Sequence, residues 1–226
     1  MPANKVTVDL FFDVISPYAW IGFEALCRYR SVWPIELRFR PYLLGTVMME
    51  TGNRPPMMVR ARGRYLLGDL NRMAKYWNIP LTVCKNPFDA MIKKGSLLPQ
   101  RFLACLQKIK PDLVEAAARE LWMRRWSRDE DFHLPEHLRI VASKIGLSDD
   151  VTATVMSLVD SEEVFAVLEA NTKEAIEQNA FGAPWITVHL PEGKQSFFGS
   201  DRFHVLADLL GKNFPGPLRE MAKSKL

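Results

Sequence analysis

In Val6-Thr-Val8-Asp-Leu10-Phe-Phe12-Asp-Val14 apolar side chains hold alternate positions, and β-branched and aromatic types dominate, the pattern of a strand with a buried face. At Ser16-Pro17 the run breaks into helical spacing, with Tyr18, Trp20, Ile21, Phe23, Leu26 and Cys27 on the periodic positions. Ile35-Glu-Leu37-Arg-Phe39 then returns to alternation. A strand, a helix and a second strand in immediate succession call for a parallel pair joined by a right-handed crossover, which needs cover on both faces of the sheet.

The 226 residues, 48% hydrophobic and 25% charged, suffice for a sizeable core in one domain, or in one domain carrying a large insertion. A net charge of +4 does not point to nucleic acid, because Lys and Arg are scattered and not gathered on one segment. The densest groups, Arg60-Ala-Arg62-Gly-Arg64 and Met123-Arg-Arg125, read as solvated helix faces. No apolar run approaches the roughly 18 residues of a membrane span, and MPANK leads straight into the first strand, so neither a membrane span nor a signal or transit peptide is expected. Cys27, Cys84 and Cys105 form no C-x-x-C pair and no metal spacing, the usage of a reducing compartment. The ending Ser224-Lys225-Leu226 spells the peroxisomal address, so a peroxisomal import receptor is an expected partner.

After Phe39 a polar, Gly- and Pro-containing loop is expected from Gly45 to Met58, followed by helical patterns over Tyr65 to Trp77, Arg101 to Ile109, His137 to Ile145, Val151 to Val159 and Glu162 to Gln178. Asp112-Leu-Val-Glu115 has the spacing of a capping box opening the helix AAARELWMRRW. Trp185-Ile-Thr-Val188 and Gln195-Ser-Phe-Phe198, joined by Pro191-Glu-Gly-Lys194, read as a β-hairpin, and a last helix is expected from Gly199-Ser-Asp-Arg202 to Gly211. Setting the helical middle aside, the order is strand, helix, strand, helix, hairpin, helix, which is the thioredoxin order. The fold class is α/β, a thioredoxin-like mixed sheet interrupted by an all-helical insertion, divided as 1–56, 57–178 and 179–226.

Ligands of such sheets sit outside the carboxyl ends of the parallel strands, where Ser16 stands. Ser16-Pro17 is a good helix start in its own right. Yet an N-cap serine uses its oxygen as an acceptor and keeps its O–H free to donate, beside the positive end of a helix. Redox proteins of this fold carry Cys-x-x-Cys where this chain has Ser16-Pro-Tyr-Ala19, which excludes disulfide exchange through that motif. A site with no thiolate of its own is suited to binding one and to lowering its pKa.

Taken together, FFDVISPYAW, Thr51-Gly-Asn-Arg-Pro-Pro56, Arg119-Glu-Leu-Trp-Met123, Phe181-Gly-Ala-Pro184 and Phe198-Gly-Ser-Asp-Arg202 make the chain resemble, end to end, a kappa-class glutathione S-transferase of the DsbA-like superfamily. The resemblance implies a homodimer in peroxisome or mitochondrion that uses glutathione as co-substrate, with no metal or other cofactor. It implies transfer of glutathione to small hydrophobic electrophiles, and hydroperoxide reduction as a further activity. Residue by residue, it implies that Ser16 donates to the glutathione sulfur, with Pro17 and Tyr18 beside the tripeptide and Asn53 near it. Arg60 occupies the next contacting position, with a residue type that departs from the family pattern. Ala183, before Pro184 as the cis-proline, offers its backbone to the cysteinyl unit, and the family often has leucine there. Ser200 and Asp201 receive the γ-glutamyl end at the start of the last helix, and Arg202 is a supporting or interface charge.

Other constellations carry less. His133-Leu-Pro-Glu-His137 spells H-x-x-E-H, but Pro135 either breaks that helix or starts it. The only positioned serine has no sequence-evident base. Core packing is the expectation for Trp122 and Trp126, while Met48-Met49 and Met57-Met58 could line an adaptable pocket for an apolar electrophile. Two further functions keep the fold: a glutathione-dependent isomerase of the 2-hydroxychromene-2-carboxylate type, and a redox-silent binding or chaperone module.

Overall fold

The computed structural model describes residues 5–83, 85–86 and 88–223, with the backbone alone at 90–92; Cys84 and Ser224-Lys225-Leu226 lie outside the described residues. Strand β1 (Val6–Phe12) leads into α1 (Pro17–Tyr29), and β2 (Ile35–Pro41) returns parallel to β1 with Val8 opposite Leu37 and Leu10 opposite Phe39. The hairpin β3 (Trp185–Leu190) and β4 (Gly193–Phe198) completes a four-stranded sheet of order β2-β1-β3-β4, with β3 antiparallel to β1. This is the thioredoxin-like mixed sheet expected from the alternating segments.

Between β2 and β3 run α2 (Leu44–Glu50), α3 (Arg60–Trp77), α4 (Leu97–Ile109), α5 (Val114–Trp126), α6 (Pro135–Lys144), α7 (Asp149–Leu158) and α8 (Glu162–Glu177); α9 (Phe203–Leu209) follows the hairpin. The helical stretch shares its core with the sheet. Trp122 of α5 is fully buried against Phe12 of β1 at 5.3 Å and Phe23 of α1 at 4.9 Å between ring centroids, and stacks on Trp20. Gln100 of α4, also fully buried, donates through Nε2 to the carbonyls of Phe12 and Tyr42 at 2.8 Å each, and its Oε1 accepts from Val14 N–H. One amide thus satisfies backbone groups at the carboxyl ends of both parallel strands, in addition to the bond that Tyr42 N–H makes to the Phe12 carbonyl at 3.1 Å. At the far end of the stretch, α8 packs on β2, where Asn171 Nδ2 donates to the Pro41 carbonyl at 2.9 Å. It serves as the sheet's second covering helix.

Several local expectations are corrected. Gly45 to Met58 is not all loop, since Leu44–Glu50 is helical; α2 has no side-chain cap, and its Leu44 N–H is taken by Asp13, a partner from far upstream. Helix α3 begins at Arg60 and α4 at Leu97, both earlier than periodicity indicated. Asp112 caps nothing. It lies in a 3-10 turn, Pro111–Leu113, and α5 starts at Val114 with Leu113 at its cap position, while Glu115 pairs with Arg30 and Arg119. The last helix starts at Phe203 and ends at Leu209, so Ser200 and Asp201 precede it and do not cap it. Pro135 occupies the first position of α6, which places His133 outside that helix and separates it from His137, with 5.5 Å between the rings.

Candidate functional site

The cleft opens where β1 gives way to α1. Ser16 has extended φ/ψ, its Oγ accepts from Ala19 N–H at 3.1 Å, and Pro17 at the first helical position fixes the entry. The serine oxygen is therefore occupied as an acceptor, and its O–H remains able to donate. Its backbone is held too: Ser16 N–H donates to the Asp13 carbonyl at 3.0 Å, and Trp122 Nε1 donates to the Ser16 carbonyl at 3.1 Å. Only 6% of Ser16 is exposed.

Around it lies a cavity of about 570 Å³, walled by the turn Ile15 to Tyr18, by Leu44, Gly45 and Met48 of α2, by the loop 53–56, by Arg62 and Leu66 of α3, by the segment Phe181 to Ala183, and by Phe198 at the end of β4. Most of the wall is apolar. Ser16, Tyr18, Asn53, Arg54 and Arg62 supply the polar side chains, and among the described residues no carboxylate side chain lines it, so the mouth carries positive charge. Tyr18 spans α1 and α3 by donating to Asp69 Oδ2 at 2.7 Å; burial and the adjacent carboxylate both push its phenol pKa up, so it stays a neutral donor. Asn53 ties the loop across the cleft, donating from Nδ2 to the Phe181 carbonyl at 2.6 Å and accepting from Arg54 N–H at 2.8 Å.

The peptide bond between Ala183 and Pro184 is cis. Below it the packing is tight. A Cβ on Gly22 of α1 would lie 2.8 Å from Pro184 Cγ and 3.9 Å from Ser200 Cβ, so only a glycine lets the helix approach both residues. Ser200 is buried, whereas Asp201 is exposed and pairs with Arg202 at 2.8 Å.

Among the sequence-derived candidates, Ser16, Pro17, Tyr18, Asn53 and Ala183 line one cleft, and Pro184 and Ser200 meet beneath it on Gly22. Arg60 is exposed at the start of α3 and does not line the cleft; Arg62, two residues on, is exposed as well but lies on the side of the helix that borders the cleft. Of the methionines, Met48 lines the wall, while Met49 and Met58 are exposed. Trp122 packs in the core as expected and has the further task of holding the Ser16 carbonyl. The sequence carries Arg62 inside a run of arginines read as a solvated face, and nothing local marks Arg54, Leu66, Phe181 or Phe198 as cleft residues. Cys27 and Cys105 are buried, and burial pushes both thiols up, to about 11 at Cys105.

A DSBA-like thioredoxin domain model matches residues 7–211. Glutathione S-transferase kappa 1 of Rattus norvegicus is 38% identical over 225 residues, covering 100% of this chain and 99% of its own length. The chain belongs to the kappa class of glutathione S-transferases. A 2-hydroxychromene-2-carboxylate isomerase of Pseudomonas putida is more distant, at 24% identity with 91% of this chain and 94% of that protein covered. A solved structure of such an isomerase superposes with a TM-score of 0.73 at 22% identity, over 91% of this chain and 94% of the other, which shows a shared fold. Within this kappa-class chain the first helix opens on Ser16-Pro-Tyr-Ala19, and the two described thiols are both buried.

Proposed function

We propose that the chain transfers glutathione to hydrophobic electrophiles, with Ser16 as the donor to the glutathione thiolate. The carrying observation is the arrangement of Ser16: its acceptor capacity is used by Ala19 N–H, its backbone is fixed from both sides, and its free O–H stands in an apolar, cationic-mouthed cleft. A donor there stabilises the thiolate over the thiol and raises the fraction of nucleophile at neutral pH. The sulfur then attacks an electrophilic carbon; the S–C bond forms as the leaving group departs with its electron pair, and no proton transfer from the protein is required.

Asn53 and the backbone at Ala183 hold the middle of the tripeptide, Ser200 and Asp201 its γ-glutamyl end, and Arg54 or Arg62 a carboxylate. Leu44, Met48, Leu66 and Phe198 form the apolar wall for the second substrate. Reduction of hydroperoxides fits the same nucleophile: the thiolate takes one peroxide oxygen, the alcohol leaves, and a second glutathione yields disulfide and water. We place the protein in the peroxisome, by the Ser224-Lys225-Leu226 ending and its import receptor, as a homodimer on family grounds.

The test is the ultraviolet thiolate signal of bound glutathione titrated against pH, in the parent and in Ser16→Ala. A bound thiol ionising about one to two units below the free thiol, with the shift reduced in the variant, supports the reading. Binding without any shift favours isomerisation, which turns over without consuming thiol. Absence of binding favours a redox-silent binding module.

A further inference from the structure

We propose that Asp13 is a positioning residue for Ser16, locking the thiolate donor to the cleft wall through a buried carboxylate. This rests on the reading of Ser16 given above. Asp13 is 1% exposed and lies between β1 and α1. Its backbone carbonyl accepts from Ser16 N–H at 3.0 Å and its Oδ1 from Ile15 N–H at 3.0 Å, so one residue closes the turn that presents the serine. The other oxygen reaches outward. Oδ2 accepts from Leu44 N–H at 3.1 Å and from Ser96 Oγ at 2.9 Å.

Leu44 is the first residue of α2, and with Gly45 and Met48 it forms one wall of the cleft. Ser96 stands at the cap position of α4, where its carbonyl accepts from Gln100 N–H at 2.9 Å, but its side chain makes no cap hydrogen bond and its hydroxyl is turned to Asp13. Two helices and the serine turn are thus indexed to one carboxylate. No Lys, Arg or His among the described residues forms an ion pair with Asp13. The titratable side chain facing it is the Tyr42 phenol, which donates to the Gly182 carbonyl at 2.8 Å on the opposite cleft wall. Burial, against hydrogen bonds from Ile15, Ser96 and Leu44, pushes the Asp13 carboxyl up to about 6, so at neutral pH it is an ionised group with no counter-ion among the described residues. A carboxylate in that state disfavours the fold, and what it provides is placement.

The readout is the pKa of glutathione bound to the parent, to Asp13→Asn, to Ser16→Ala and to the double variant. An amide cannot accept at both ends, so Asp13→Asn leaves either Ile15 N–H or the Leu44 and Ser96 donors facing an NH2 group. If Asp13 acts by placing Ser16, the bound thiol pKa rises in Asp13→Asn by about one unit, toward the free value, and the double variant adds nothing to Ser16→Ala. A buried charge acting directly on the thiolate gives the opposite sign, because removing a negative charge lowers the thiol pKa. A fall, no change, or additivity in the double variant overturns the proposal. Should Asp13→Asn fold poorly, Ser96→Ala withdraws one donor and keeps the carboxylate; it is expected to move the thiol pKa the same way by a smaller step, and no movement overturns the proposal as well. A parent that binds glutathione with no shift overturns the role of Ser16 and that of Asp13 together, whereas a shifted parent with an unmoved Asp13→Asn overturns Asp13 alone.

Discussion

Gly22 offers the sharpest separation of binding from activation. A methyl group there would stand 2.8 Å from Pro184 Cγ and 3.3 Å from Pro184 Cβ, where carbon atoms rest at about 3.5–4.0 Å, so the proline must retreat by roughly 0.7 Å or more. Overpacking of this kind costs about 1–3 kcal/mol. Replacing an interior helical glycine by alanine returns about 1 kcal/mol. Gly22→Ala is therefore expected to destabilise by roughly 0–2 kcal/mol, or up to about 8 °C in Tm for a chain of this size. The ring that moves carries Ala183, and Ser200 lies beside it, so the displacement falls on the proposed tripeptide-holding groups. Ser16 is fixed separately by Ala19, Asp13 and Trp122. The KM for glutathione should rise several-fold while the bound thiol pKa stays put. Thermal unfolding, glutathione kinetics and the thiolate titration together check this. A variant stabilised by the full helical gain, with unchanged KM, would refute the reasoning, because it would mean that Pro184 and α1 do not constrain one another.

Ser16→Ala removes the cap on α1 as well as the donor, so a stability loss of about 1 kcal/mol in urea is expected alongside the rise in thiol pKa. Trp122→Phe leaves the buried Ser16 carbonyl to the longer bond from Trp20 N–H at 3.3 Å and opens a space among Phe12, Phe23 and Trp20; a loss of about 1–3 kcal/mol is expected, and no loss would count against that packing and bond. Asn53→Ala unties the loop from Phe181 and should raise the glutathione KM several-fold with little change in unfolding midpoint, since the link lies at the cleft mouth. For Asp13, the folded carboxyl pKa of about 6 lies above its ordinary 3.8, so the folded state takes up this proton first as pH falls. Its destabilising contribution is full above pH 6 and fades toward pH 3.8, about 3 kcal/mol in all. Between pH 7.5 and pH 5 the parent should gain stability relative to Asp13→Asn, and parallel curves would refute the assignment.

Much of the frame is legible along the chain because its causes are local. Alternation at Val6 to Val14 needs only a pleated strand with a buried face, and Ser16-Pro17 needs only the geometry of a helix start, so β1, α1 and the serine cap follow from neighbouring residues. The hairpin of Trp185 and Phe198 is of the same kind. Asp112 shows the limit of such rules: its capping spacing is present, but Pro111 draws it into a 3-10 turn and Glu115 is claimed by Arg30 and Arg119. The short α2 has no local start signal at all, and its first amide is satisfied by Asp13 across the fold. Which arginine borders the cleft, Arg62 and not Arg60, depends on the helix start and rotation that packing sets. The sequence by itself determined the order of elements along the chain, the cap and the serine at the start of the first helix, because those are set within a few bonds; Asp13, Trp122 and the apolar wall became a site only when distant segments closed on Ser16, since long-range burial and hydrogen bonding have no nearest-neighbour signature.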